Sequence, residues 1–198
     1  MNNLFEKKIL ICGAGTLGGN LAENLGRTGF KKLIVIDQDI VEEKNLVNQP
    51  YFRFDVGQPK VKALSRNLFQ ASGTETTGIH QTLTEGNGEK WIQSADLVID
   101  AFDRHPARKA VKSLCEKLNI PCLHIGISPY QYGEVIWNEL YSVPPDLEED
   151  PCEQIFSRSL ALLAAAVSTE IIKRYFQQGE KENRTITLKD FAVLPLLK

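Results

Sequence analysis

A short apolar run, Ile9-Leu10-Ile11-Cys12, follows a polar opening and ends in Gly-Ala-Gly, and a second run of the same kind covers Lys32 to Ile36. Between them Leu17, Leu21 and Leu25 recur at helical spacing across Thr16 to Thr28. Apolar runs too short for buried helices, separated by one helical period, predict strand, tight turn, helix and strand. Continuous rather than alternating apolar character marks strands buried on both faces, as in a parallel sheet. Further along, Gly57-Gln58-Pro59 opens a helix to about Phe69, and a weak strand is predicted near Thr77 to Leu83. Ala95 to Asp100 reads as a strand ending in an acid, Pro106 to Leu118 as a helix, and Pro121 to Ile125 and Gly133 to Tyr141 as strands. Pro144 to Pro151 is an acidic, proline-bearing loop, and a long helix runs from Arg158 to Phe176. Leu160 to Val167 is apolar nearly all round, which requires cover from the sheet or from a second subunit.

Strands alternating with helices predict an α/β fold: a Rossmann-like, doubly wound, mainly parallel sheet with helices on both faces. Ligands of such sheets bind in the crevice outside the strand carboxyl ends. With 198 residues, 42% hydrophobic, and neither repeats nor a linker, a single domain over residues 1–198 is expected. Asp37 to Pro59 shows no clear periodicity and forms a long excursion from the strand ends, a candidate functional segment.

Charge excludes some partners. Lysine and arginine number 23 against 25 acidic residues, a net charge of −2, so nothing broad draws the chain to nucleic acid or a membrane surface. The first apolar run is too short for a signal or membrane segment, which predicts a cytoplasmic protein. The four cysteines, Cys12, Cys115, Cys122 and Cys152, read as reduced thiols.

Gly13-Ala14-Gly15-Thr16-Leu17-Gly18 fits G-x-G-x-x-G between strand and helix, so backbone N–H groups and the helix dipole can face a phosphate. The same glycines also suit a tight turn with close helix packing. Asp37, 19 residues after Gly18, stands where an acid accepts from ribose hydroxyls. A dinucleotide-binding dehydrogenase and an ATP-using enzyme both want that acid, and the two readings tie here.

Later residues break the tie. Asp37-Gln38-Asp39 ends the second strand, Asn45-Leu46-Val47-Asn48-Gln49 lies on the excursion, Gly57-Gln58-Pro59-Lys60 opens a helix, and Asp100-Ala101-Phe102-Asp103 with Arg108 follows the third apolar strand. In these motifs and their order the chain resembles the superfamily of ubiquitin-activating enzymes and the adenylyltransferases of thiamine and molybdopterin biosynthesis, over roughly residues 7 to 176. The resemblance implies that a substrate carboxylate attacks the α-phosphate of ATP with Mg²⁺ present. It places Asp37 at the ribose, Asp39 and Gly18 in the nucleotide site, Lys60 at the phosphates, Asp103 on Mg²⁺, Asn45 on the phosphate side, and Gly13 and Gly15 beneath. It also implies a homodimer acting on a ubiquitin-like or sulfur-carrier protein or a small carboxylate. Lys60 at a helix start is poorly placed for the dipole, a cost that a phosphate offsets. Asp103 reads either as a hard oxygen ligand for magnesium or as the N-cap of the next helix.

The chain departs from the pattern at Asn48, where the family motif carries arginine. That removes a fixed charge of the kind that stabilises a phosphoryl transition state. Arg53, on the same excursion, is the candidate replacement, and Arg104 replaces the asparagine that follows the family's second aspartate. Cys152 stands without the C-x-x-C pairs that hold zinc in many relatives, so no zinc is expected. Cys152 itself is either an acyl-accepting thiol or, with acidic neighbours raising its pKa, an unreactive one. His80, His105 and His124 show no triad or ligand spacing and are assigned no chemistry. An ATP-dependent adenylyltransferase is therefore expected; a regulatory nucleotide-binding relative and an NAD-dependent oxidoreductase are the alternatives.

Overall fold

The computed structural model describes residues 4–128, 131–145 and 158–196. In chain order the elements are β1 (Lys8–Cys12), α1 (Thr16–Thr28), β2 (Lys32–Asp37), α2 (Lys60–Ser72), β3 (Thr76–His80), α3 (Glu85–Ile92) and β4 (Leu97–Asp100). There follow α4 (His105–Leu118), β5 (Cys122–Ser128), β6 (Tyr132–Trp137), α5 (Arg158–Gln178), β7 (Arg184–Thr187) and β8 (Ala192–Pro195). One sheet holds all eight strands in the order β3-β2-β1-β4-β5-β6-β7-β8. The first five pair in parallel and the last three antiparallel. Among the described residues, no helix is long and apolar enough to cross a membrane.

Two apolar layers flank the sheet, as continuous apolar strands require. Ile9 and Ile11 of β1 face a core shared with α1, α2 and α5, while Leu10 and Cys12 face one shared with α3 and α4. Because β2 lies on one side of β1 and β4 on the other, the strand order reverses at β1, opening a crevice at the carboxyl ends of β1 and β4. The doubly wound, mainly parallel reading holds.

Several boundaries differ from the sequence reading. β6 stops at Trp137 rather than Tyr141, because the Asn138 N–H turns back to the Cys122 carbonyl and the Leu140 N–H closes a turn on Trp137. β3 runs Thr76–His80, ending where Gln81 N–H bonds the Asp37 carbonyl. α3 escaped notice because Gly86 and Gly88 depress its helix propensity. Tertiary fit overrides that: Asn87 Oδ1 accepts the Thr84 N–H, and a Cβ on Gly88 would meet Leu114 of α4 at 2.7 Å. The β7–β8 hairpin was likewise not read. In α5, Leu160, Ala161, Ala164 and Ala165 are buried in the core shared with α1, whose Asn24 donates to Thr169. Much of the cover that this helix demands thus comes from its own chain.

Candidate functional site

Gly13 and Gly18 are glycines because the turn demands it. Gly13 has φ +104, and a Cβ there would lie 2.9 Å from the Ala101 carbonyl oxygen. A Cβ on Gly18 would collide with the backbone oxygen of Gly13. Gly15 differs: its φ of −81 suits any residue, and a Cβ there meets no protein atom within 4 Å. Nothing in the protein's own packing requires a glycine at that point, whereas close approach by a ligand would. Gly15 is also the N-cap of α1 and offers no side-chain acceptor, so the first N–H groups of the helix, at the positive end of its dipole, remain for an anion.

Asp37 ends β2 beside this turn. Its Oδ2 accepts the Ala14 N–H at 2.6 Å and its Oδ1 the Asp39 N–H at 2.7 Å. Burial pushes the Asp37 carboxyl above its ordinary range, outweighing those two N–H donors and the nearby Lys60 ammonium. Lys60, the first residue of α2, is buried, and its Nζ lies 2.9 Å from Oδ2 of the half-exposed Asp39. The D-x-D strand end, Lys60 and the glycine turn therefore meet at the carboxyl end of β2.

The excursion from Gln38 to Pro59 is tightly pinned. Val41 N–H donates to the Gln58 carbonyl and Gly57 N–H to the Val41 carbonyl, Tyr51 Oη donates to the Ala14 carbonyl at 2.6 Å, and Asn20 Nδ2 donates to the Asn48 carbonyl at 2.8 Å. Buried Asp55 accepts from Asn67 and Phe52 N–H and pairs with Arg66. Asn45, assigned to the phosphate side, is buried, and its Oδ1 accepts the Glu42 N–H at 2.8 Å, capping a 3-10 helix over Glu43–Val47. Asn48 ends that helix, half-buried. Arg53 is exposed on a second 3-10 helix, Arg53–Asp55, and its sequence neighbours Phe52 and Phe54 stack on each other. No bond among the described residues joins Arg53 to the turn.

Across the turn from Asp37, Asp103 lies on the connector from β4 to α4. The N-cap of α4 is Arg104, without a side-chain cap bond, so Asp103 does not serve as the cap. Its carboxylate is exposed and has no hydrogen bond or ion pair among the described residues. The connector abuts the turn, since Ala101 N–H donates to the Cys12 carbonyl and a Gly13 Cβ would meet Phe102 Cδ1 at 3.4 Å. No three His, Cys, Asp or Glu residues gather into a metal cage among the described residues. One unpaired hard carboxylate next to an anion cradle fits magnesium, which takes one or two carboxylates and completes its shell with phosphate and water. Cys12, Cys115 and Cys122 are buried and unbridged; Cys152, with most of its loop, lies outside the described residues.

Sequence reasoning missed Tyr51, which locks the excursion to the turn, and His124, which is buried against Asp100. An aromatic residue on an aperiodic excursion gives no sign of a long-range partner. His124 is the third residue of β5, where a polar residue inside an apolar strand was the available signal.

Comparisons with known proteins address the family and the fold. The chain is 33% identical over 135 residues to SUMO-activating enzyme subunit uba-2 of Caenorhabditis elegans, 67% of this chain and 23% of that one. It is 35% identical over 134 residues to the sulfur carrier protein ThiS adenylyltransferase of Bacillus subtilis, 66% of this chain and 40% of that one. It thus spans less than half of either relative. In structure it resembles Escherichia coli MccB, solved with AMPCPP and MccA, with a TM-score of 0.78 at 19% identity, covering 98% of this chain and 64% of that one. At that identity the likeness establishes the fold alone. The family model described as ThiF family matches residues 1–194, nearly the whole chain, and with the glycine turn, D-x-D strand end and G-x-P-K helix start in place, this protein belongs to the ThiF family.

Proposed function

We propose that the chain binds ATP with Mg²⁺ over the glycine turn and adenylates a carboxylate. One observation carries this reading. The Gly13–Gly15 bend, whose middle is open to close approach, is bonded to Asp37 on one side, next to the buried Lys60 ammonium paired with Asp39, and is abutted on the other by the connector that carries the unpaired Asp103. In the proposed reaction a carboxylate oxygen of the substrate attacks the α-phosphorus. The bond from that phosphorus to the oxygen bridging to the β-phosphorus breaks, and pyrophosphate leaves with its electron pair, giving an acyl adenylate. The α1 N–H groups hold the phosphate oxygens, Asp37 and Asp39 orient the ribose and Lys60, and the Lys60 ammonium meets the negative charge that builds on the phosphates. Magnesium, when bound at Asp103, supplies Lewis-acid neutralisation of the leaving pyrophosphate.

The relatives named for SUMO and for the sulfur carrier ThiS support an acyl substrate that is the C-terminal glycine of a ubiquitin-like or sulfur-carrier protein; a small acid is the other member of the class. The exposed apolar residues Val47, Phe52 and Phe54 support a homodimer. ATP–pyrophosphate exchange with carrier proteins ending in Gly-Gly and with small acids tests the proposal. Exchange lost on Lys60→Ala and on Asp103→Ala is the expected result; nucleotide binding with no exchange for any acceptor would overturn adenylation in favour of a binding role.

A further inference from the structure

Asp103 makes no bond of its own, yet a ligand for a small, geometrically strict ion must be held still. Its neighbour Phe102 is gripped at both polar backbone atoms. The Phe102 N–H donates to Asp100 Oδ1 at 3.2 Å, and its carbonyl accepts from Arg108 Nε at 2.5 Å. Both gripping side chains are buried, at 0% and 8% exposure, and both belong to one closed polar network. The other oxygen of Asp100 faces His124 Nδ1 at 2.8 Å; a carboxylate only accepts, so Nδ1 donates. His124 Nε2 lies 2.7 Å from Asn138 Oδ1. Tyr141 stacks on the imidazole with centroids 3.7 Å apart and accepts from Arg108 Nη1 at 2.6 Å. Arg108 Nη2 reaches the Ile125 carbonyl, fixing the network to β5.

We propose that His124 is a positioning residue: through Asp100, and through the Tyr141–Arg108 contact, it fixes the Phe102 backbone and so aims the Asp103 carboxylate. This rests on the reading that Asp103 holds the metal. If only burial mattered, an apolar residue of similar size would serve at position 124. In that case, however, Asp100 keeps a buried, unpaired oxygen and is freed to turn from Phe102. Supporting partners of this kind typically change metal affinity by about 10–100-fold.

The test measures Mn²⁺ affinity by electron paramagnetic resonance in the presence of a non-hydrolysable ATP analogue. Nucleotide affinity in chelator and thermal midpoint are recorded alongside. His124→Leu is expected to weaken Mn²⁺ binding about tenfold while leaving metal-free nucleotide affinity within about twofold. His124→Asn, whose amide nitrogen falls near the Nδ1 position, is expected to restore it. A loss of thermal midpoint shared by both variants with unchanged Mn²⁺ affinity would mean a purely structural role and overturn the proposal. Tyr141→Phe keeps the ring and removes only the acceptor of Arg108; it is expected to weaken Mn²⁺ binding less than His124→Leu, and it decides the matter if His124→Leu does not fold. Asp103→Ala separates the two levels. If it leaves Mn²⁺ affinity unchanged, the metal reading itself fails; if it weakens binding while His124→Leu and Tyr141→Phe do not, the positioning role alone fails.

Discussion

Alanine at Gly15 and alanine at Gly18 differ by one methyl group placed three residues apart, and the structure gives them opposite consequences. At Gly18 the new carbon runs into the Gly13 backbone oxygen and lies 3.2 Å from Ile11 Cγ2, so no rotamer change relieves it. Overpacking of this kind costs about 2–3 kcal/mol. For a chain of this size that lowers the thermal midpoint by roughly 4–12 °C. At Gly15 the methyl group meets nothing, and the backbone already has an L-residue conformation. Stability should therefore change by less than about 1 kcal/mol, and restriction of the unfolded chain favours a slight gain. The methyl would instead stand where phosphate oxygens approach the α1 N–H groups. Losing about 1.4 kcal/mol or more there weakens ATP binding at least about tenfold. Differential scanning fluorimetry without ligand, then titration calorimetry with MgATP, reads both effects. If Gly15→Ala binds MgATP as tightly as the parent chain, the turn is not the phosphate cradle and the reasoning fails.

Asp39→Asn removes the partner of the Lys60 ammonium, at a cost of up to about 1 kcal/mol because Asp39 is itself half exposed. Saturating MgATP should narrow the resulting gap in thermal midpoint, since phosphate replaces the carboxylate; a gap that widens would speak against Lys60 as a phosphate ligand. Asp96 immediately precedes β4, and although partial burial alone raises its carboxyl, the Lys8 N–H and the Lys7 ammonium hold it below the ordinary range. A depressed carboxyl contributes stability that is full above its unfolded-state value, ~3.9, and is lost as pH falls through the folded-state value. Asp96→Asn should therefore be less stable than the parent in urea at pH 7, with the deficit shrinking below that range; a deficit constant with pH would refute the linkage. Burial pushes the Cys12 and Cys122 thiols far up, and Cys115 is 1% exposed. Of the four cysteines at most one should react with a disulfide reagent before unfolding; two fast-reacting thiols in the native chain would contradict the buried assignment.

Elements whose identity is written locally were legible in the sequence, and those that depend on distant partners were not. β1, α1 and β2 are fixed by apolar runs and a helical period within each segment, and they appear at Lys8–Cys12, Thr16–Thr28 and Lys32–Asp37. α3 has two glycines in eight residues and exists because α4 covers it, so no local period could announce it. Asp37, Lys60 and Asp103 were singled out by the motif resemblance, as residues at strand or helix ends. Their actual relations, a carboxylate bonded to Ala14, an ammonium paired with Asp39 and a carboxylate left free, depend on contacts across 21 to 23 residues or more of chain. The apolar run in α5 is likewise covered in large part by α1, a distant partner within the same chain.

Charge inventory gives the sharpest meaning to Asn48. Asp37, Asp39 and Lys60 together bring more negative than positive charge to the turn, and the one ammonium there is already shared with a carboxylate. A cation and an anion 4 Å apart interact by about 4 kcal/mol at an effective dielectric of 20, more than one neutral hydrogen bond offers. A neutral asparagine side chain cannot replace that. Arg66 is not available either, because it is committed to the buried Asp55. Arg53 and Arg104 remain: both are exposed, and neither is ion-paired among the described residues. Arg104 directly follows Asp103 at the start of α4, whereas Arg53 must reach in from the aromatic pair on the excursion. A cation beside Asp103 would neutralise the leaving pyrophosphate, and one from the excursion would meet the charge that Asn48 leaves unmet. On the proposed reading the turn demands a charge that Asn48 does not carry, so Arg53→Ala or Arg104→Ala is expected to lower ATP–pyrophosphate exchange, and exchange unchanged in both would leave Asn48 without a substitute.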